Sequence, residues 1–134
     1  MRKGLCIILA VAVLSAVGCR PKADDRTEEP RRIMQQALNE FLRGEYGQFM
    51  SRLDFGGDFD SLQEEAVSLA FIRQQQVVRE ARSGMQGALV VSAKMQSDSV
   101  ATVFFREYFA NGDSLDCSQK LVRKGGEWRL RMRN

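Results

Sequence analysis

Histidine is absent from the 134 residues. Without imidazole, Ser-His-Asp and Cys-His catalysis are excluded, as is any zinc site that needs a histidine. The three cysteines, Cys6, Cys19 and Cys117, fall in no C-x-x-C spacing. No large charge excess exists either. Twenty Lys and Arg face 17 Asp and Glu, a formal +3, too little to argue for nucleic acid. What is present is an ordinary globular balance, 44% hydrophobic and 28% charged, enough for one domain and not comfortably two. A wholly disordered chain is excluded.

A transmembrane-length apolar run is also missing. The longest, residues 5–17, is apolar except for Ser15. As a helix it would span about 20 Å, short of a bilayer core of about 30 Å. It follows a positive start, Met1-Arg2-Lys3-Gly4, and ends in small residues. That pattern predicts a secretory signal peptide. An uncleaved anchor helix is the alternative. The segment Ala16-Val17-Gly18-Cys19 resembles the lipobox of bacterial lipoproteins, with Ala16 where leucine is commoner. The resemblance implies a diacylglycerol thioether on Cys19, removal of residues 1–18 and acylation, palmitate among the chains, of the new amino terminus. Two or three acyl chains anchor stably where one does not. Cys19 is therefore the expected lipidation site and the membrane the expected partner. Arg20 stands where inner-membrane retention uses aspartate. This implies the outer membrane of a Gram-negative envelope. Lys22-Ala23-Asp24-Asp25 is similar to acidic export signals of Bacteroidetes surface lipoproteins, so periplasmic and surface exposure both stay open.

Residues 19–29 have no large apolar side chain and read as a lipidated cysteine and flexible tether before a domain over residues 30–134. Thr27 can N-cap a helix with Glu28 and Glu29 in its first turn. Ile33, Met34, Ala37, Leu38, Phe41 and Leu42 form one helical face, stopped at Gly44. Tyr46, Phe49, Met50 and Leu53 predict a short second helix. Residues 54–60 read as a loop. Its aspartates lack EF-hand spacing, so no metal is expected. Asp60 with Gln63 forms a capping box for a long third helix. Its expected buried stripe is Leu62, Ala66, Leu69, Ala70, Val77 and Ala81.

From Gly87 the period becomes two. Four strands are predicted, over 87–96, 99–109, 114–124 and 127–133, joined by Ser97-Asp98, Asn111-Gly112 and Gly125-Gly126 as two-residue turns. These turns set Met95 opposite Val100, Arg106 opposite Cys117 and Leu121 opposite Leu130. One face then carries Leu89, Val91, Ala93, Met95, Val100, Thr102, Phe104, Arg106, Tyr108, Leu115, Cys117, Gln119, Leu121, Trp128, Leu130 and Met132. That face is expected to pack on the helices. The other carries Val103, Phe105, Glu107, Phe109, Asp116, Ser118, Lys120, Val122, Arg129, Arg131 and Arg133.

Three helices on a curved four-stranded antiparallel meander make an α+β chain that resembles the nuclear transport factor 2-like (cystatin-like) fold. It is similar to small bacterial lipoproteins carrying an uncharacterised domain of that superfamily. The phrase 37–46, Ala-Leu-Asn-Glu-Phe-Leu-Arg-Gly-Glu-Tyr, carries the likeness. So does 121–130, a glycine turn into the Trp128 strand. It covers residues 30–132. The superfamily holds enzymes and non-enzymes.

The resemblance implies a cone pocket. The expected polar lining is Thr102, Arg106, Tyr108, Cys117 and Gln119, with Arg106 and Tyr108 positioned for an anion or carbonyl group. Arg106 has two other outlets: the wet rim, or a helix carboxylate such as Glu64, Glu65 or Glu80. Superfamily enzymes that isomerise or dehydrate use an inward Asp or His with Tyr. The expected inner face has neither, so a non-catalytic binding or assembly module, without a cofactor, is the expected function. A small-ligand carrier or small enzyme around Arg106 and Tyr108 is the alternative. The outer face offers Val103, Phe105, Lys120, Arg129, Arg131 and Arg133 as an interface for an envelope protein, a second copy or anionic lipid. Export makes nucleic acid irrelevant.

Overall fold

The computed structural model describes residues 25–57 and 59–132. The signal segment, Cys19, residues 19–24 of the expected tether, Asp58 and Arg133 lie outside the described residues. A 3-10 turn, Asp25–Thr27, leads into α1 (Glu28–Leu42), α2 (Tyr46–Met50), β1 (Leu53–Asp54), α3 (Ser61–Glu80), β2 (Met85–Ser97), β3 (Val100–Phe109), β4 (Ser114–Lys124) and β5 (Glu127–Arg131). The last five residues given to the tether are thus structured, and Thr27 is buried. Among the described residues, no helix is long and apolar enough to cross a membrane.

Local sequence explains the helix ends. Thr27 sits at the N-cap, but its hydroxyl accepts from Arg31 Nε at 3.2 Å and makes no cap hydrogen bond. Ile33, Met34, Ala37, Leu38 and Phe41 are buried, while Leu42 is exposed. At the other end, Glu45 N donates to Glu40 O at 2.8 Å and Gly44 N to Phe41 O at 3.1 Å. This Schellman closure needs the left-handed φ of +78° at Gly44. The capping box at Asp60 is complete: Gln63 N donates to Asp60 Oδ1 at 2.8 Å, and Asp60 N to Gln63 Oε1 at 2.9 Å.

Among the described residues the sheet is open and curved, with five strands in the order β1-β5-β4-β3-β2. The expected meander of four is present, and β1 is the addition. The helical spacing that reaches Leu53 breaks after Met50, and Leu53 and Asp54 pair parallel with Leu130 and Arg131. Asp54 is held there by Lys124 Nζ at 3.0 Å and Arg131 Nε at 2.7 Å. Burial works to raise the Asp54 carboxyl. The hydrogen bonds from Lys124 and Arg131 outweigh it and hold the group below its usual value. A second tie, Arg52 to Glu40, is bidentate at 2.8 and 2.7 Å and joins the β1 approach to α1.

The β4–β5 register is the expected one, with Leu121 opposite Leu130 and Arg123 opposite Trp128. The β3–β4 register is not. Phe105, not Arg106, lies opposite Cys117. The connection is a three-residue loop, Ala110-Asn111-Gly112. Phe109 N donates to Asp113 O at 2.9 Å, and Gly112 N to Phe109 O at 3.0 Å. Gly112 takes φ +94°, the left-handed residue that such loops carry after a type I turn. One extra loop residue rotates β3 by one place and exchanges its faces. Val103 is fully buried and Phe105 is 7% exposed, whereas Phe104 is 41% exposed.

Strand β2 divides in two. Ala93 and Met95 face inward as expected, but the turn is Asp98-Ser99, not Ser97-Asp98, and an irregularity between Met95 and Ser97 sets Met95 opposite Ala101, not Val100, and Ala93 opposite Val103. A bulge between Val90 and Ser92 then leaves Val91 unpaired, so Leu89 and Val91 point outward, Val91 at 66% exposure. This strand is one of the two edges of the sheet. Gln35 of α1 covers part of it: its Nε2 donates to Ala88 O at 2.9 Å, and its Oε1 accepts from Val90 N at 2.9 Å. A side-chain amide thus stands in for a neighbouring strand.

Candidate functional site

Helix α3 lies over the inner face of the sheet with the opposite side turned in from the one its apolar residues predict. Ser68 and Ile72 are its buried residues, flanked by half-buried Phe71, Gln75 and Arg79. Leu62, Ala66, Leu69, Ala70, Val77 and Ala81 are exposed, Leu62 at 75%. Phe71 stacks on Phe49 at 6.2 Å, and Gln76 Nε2 donates to Tyr46 Oη at 2.9 Å. These contacts tie α3 to α2.

Between α3, the helices below it and the sheet is a cavity of about 230 Å³. Its walls are mainly apolar, from Leu38, Phe41 and Phe49 to Phe105, Leu115 and Met132. Its polar groups are Gln75 and Arg79 from α3, Glu107 from β3, and Cys117, Ser118 and Gln119 from β4. The register of β3 turns Glu107 inward, where it is 3% exposed. Arg79 Nη2 hydrogen-bonds Glu107 Oε2 in an ion pair. Arg79 is itself held by Gln75, with Nη1 2.6 Å from Oε1 and 3.2 Å from the main-chain oxygen. Its Nε points at Met85 Sδ, 3.4 Å away, and the guanidinium lies 4.8 Å from the centre of the Phe41 ring. A buried charge is tolerable only when paired and hydrogen-bonded, as here.

Of the expected pocket residues, Cys117 and Gln119 line the cavity. Gln119 Nε2 donates to Arg131 O at 2.8 Å and to Lys120 O at 3.0 Å. Thr102, Arg106 and Tyr108 do not; they stand on the outer face of β3. Arg106 pairs with a strand carboxylate and not with a helix one. Its Nε is 2.6 Å from Asp116 Oδ1, across the β3–β4 pair. That hydrogen bond raises the Arg106 pKa and lowers the Asp116 pKa.

The expected interface also breaks up. Val103 and Phe105 are core residues. Arg131 is bound to Asp54, and Arg129 reaches Ser51 O and Glu127 Oε1, each at 2.9 Å. Lys120 remains on the outer side, half-buried. The outer face shows instead Leu89, Val91, Phe104 and Tyr108. Sequence reasoning missed Arg79 and Glu107. Glu107 interrupts the otherwise apolar series Ala101, Val103, Phe105 and Phe109, the one signal that could have marked it.

Burial pushes the Cys117 thiol up to about 11, with Glu107 adding to the effect. At pH 8 it carries roughly a hundredfold less thiolate than an ordinary cysteine. Iodoacetamide is therefore expected to label Cys117 about a hundredfold more slowly in the folded protein than in urea. Peptide-mapped mass spectrometry reads this, and equal rates would contradict it. Among the described residues, no group of three or more metal-ligating side chains is assembled.

No family model and no curated protein matches the chain. Solved structures do. One, provisionally assigned as an NTF2-like transpeptidase, comes from Campylobacter jejuni. It superposes with a TM-score of 0.64 at 13% identity, covering 79% of this chain and 100% of that one. Aln2 from a Streptomyces species superposes with a TM-score of 0.52 at 16% identity, covering 84% of this chain and 90% of that one. The fold is therefore NTF2-like: an α+β arrangement with helices packed on an open curved sheet.

Proposed function

We propose that this chain is a lipid-anchored envelope protein whose NTF2-like domain holds a small molecule in the cavity under α3 without transforming it. The observation that carries the reading is the cavity with a buried, mutually neutralising Arg79–Glu107 pair in an apolar wall. Ligand sites are commonly apolar hollows with a few fixed polar groups. The Campylobacter protein's name includes transpeptidase. Such chemistry needs an activated nucleophile, and Cys117 has its thiol shifted away from ionisation with no histidine to act as base. Anchoring rests on the lipobox resemblance at Cys19, and an outer-membrane location on Arg20.

The full chain purified from its own membranes in mild detergent tests both halves. Native mass spectrometry is expected to show lipid mass on Cys19 and a small non-covalent adduct. Val78 lines the cavity at its exposed side, and Val78→Trp should remove the adduct but keep the lipid. A chain without lipid mass ends the anchoring half. No adduct, or an adduct kept in Val78→Trp, ends the binding half. Conversion of the released molecule by fresh protein would make it an enzyme.

A second reading is favoured by Leu89, Val91, Phe104 and Tyr108, which together expose apolar surface on the outer sheet face. There the domain would meet an envelope protein or a second copy. Sedimentation velocity of the full chain reports on the second-copy case.

A further inference from the structure

The polar groups of the cavity are unevenly used, and the unused ones select a ligand. Glu107 Oε2 accepts from Arg79, and among the described residues no other hydrogen bond reaches this carboxylate. Among the described residues, no fully buried side-chain oxygen or nitrogen lacks a partner. The remaining oxygen, Oε1, is therefore open to the cavity that Glu107 lines, with its acceptor capacity free. Arg79 has five N–H groups. Nε faces Met85 Sδ, Nη1 serves Gln75 twice, and one hydrogen of Nη2 serves Glu107. The second hydrogen of Nη2 has no partner among the described residues. An acceptor and a donor thus stand side by side on two paired residues at the wall of an apolar hollow.

Charge narrows the choice further. The pair sums to zero, and the other lining groups, Gln75, Cys117, Ser118 and Gln119, are neutral, the thiol being held protonated. A charged ligand would bring an uncompensated charge into an apolar wall, which low dielectric penalises heavily. A pure hydrocarbon would strip water from Glu107 and Arg79 and return nothing. Size is the last constraint. A cavity of about 150 Å³ accepts benzene, so about 230 Å³ takes one ring with a small head group.

The geometry points to an uncharged ligand of single-ring size with a donor–acceptor head, a carboxamide or its equivalent. Its N–H would donate to Glu107 Oε1, and its carbonyl would accept from Arg79 Nη2. This rests on the cavity being a binding site, as proposed above, and adds the chemistry of what enters it.

Four probes of one shape test it: benzamide, benzoate, benzylammonium and toluene, titrated into the full chain in detergent and followed by ligand-observed NMR. Benzamide is expected to bind at least tenfold more tightly than each of the others, and Val78→Trp to lose that binding at least tenfold. Glu107→Gln should invert the choice, because it removes the negative charge while Arg79 keeps its positive one. Benzoate would then bind more tightly than benzamide. Folding of each variant is checked by circular dichroism, and the wild-type ranking stands as a test even if a variant unfolds. Benzoate, benzylammonium or toluene matching benzamide in the wild type would overturn the donor–acceptor assignment and leave the cavity as a binding site. Failure of all four probes, or benzamide binding unchanged in a folded Val78→Trp, would overturn the assignment and the cavity reading together.

Discussion

Glu107→Ala is expected to destabilise the domain by about 3–5 kcal/mol, because it leaves the Arg79 guanidinium charged and unpaired in an apolar wall. Both partners are well buried, with side chains 12% and 4% exposed. The pair also spans the fold: Arg79 is on α3 and Glu107 is on β3. Losing it removes a main tie between the covering helix and the sheet. Replacing both together, Arg79→Met with Glu107→Leu, is expected to restore most of the loss. An apolar pair needs no compensation and often equals or exceeds a buried ion pair in stability. Urea unfolding of the single and double variants measures this. A single variant within about 0.5 kcal/mol of wild type would mean that Glu107 is not buried against Arg79.

Two adjacent phenylalanines provide the second large effect. Phe105→Ala is expected to cost about 3–5 kcal/mol, the range for deleting a buried aromatic side chain. Phe105 packs in the core among Ala101, Val103 and Leu121. Phe104→Ala should cost under about 1 kcal/mol, since Phe104 stands on the outer face. The register that Asn111-Gly112 suggests as a two-residue turn demands the reverse order. Thermal unfolding of the two variants therefore decides which face of β3 is inside. A greater loss from Phe104→Ala would return Arg106 and Tyr108 to the cavity and expel Glu107.

Much of the architecture is legible in the residues. The Asp60-Gln63 capping box, the Gly44 stop and the α1 stripe from Ile33 to Phe41 use local rules whose partners lie within a few residues. The Gly125-Gly126 turn likewise sets β4 against β5, and Leu121, Trp128 and Leu130 all face in. Such features depend on backbone chemistry and short spacing, so sequence determines them.

Three features were decided only by the tertiary structure. Both faces of β3 are half apolar, Val103 and Phe105 against Val100 and Phe104, so periodicity cannot choose between them. A single loop residue, Ala110, tips the balance, and the bulge at Val91 then repairs the β2 pairing for one half of that strand. Helix α3 is ambiguous in the same way. Its most regular apolar row faces solvent, and the side turned in carries Ile72, Phe71 and Arg79, the last paired with Glu107 of the sheet. Strand β1 is two residues long and exists because β5 offers an edge to Leu53, with Asp54 clamped by Lys124 and Arg131. The last two choices are made by partners distant in sequence. The helices, strands and their order were written locally. The cavity and its ion pair arise only when the faces meet, because burial of a charge is settled by what stands opposite it.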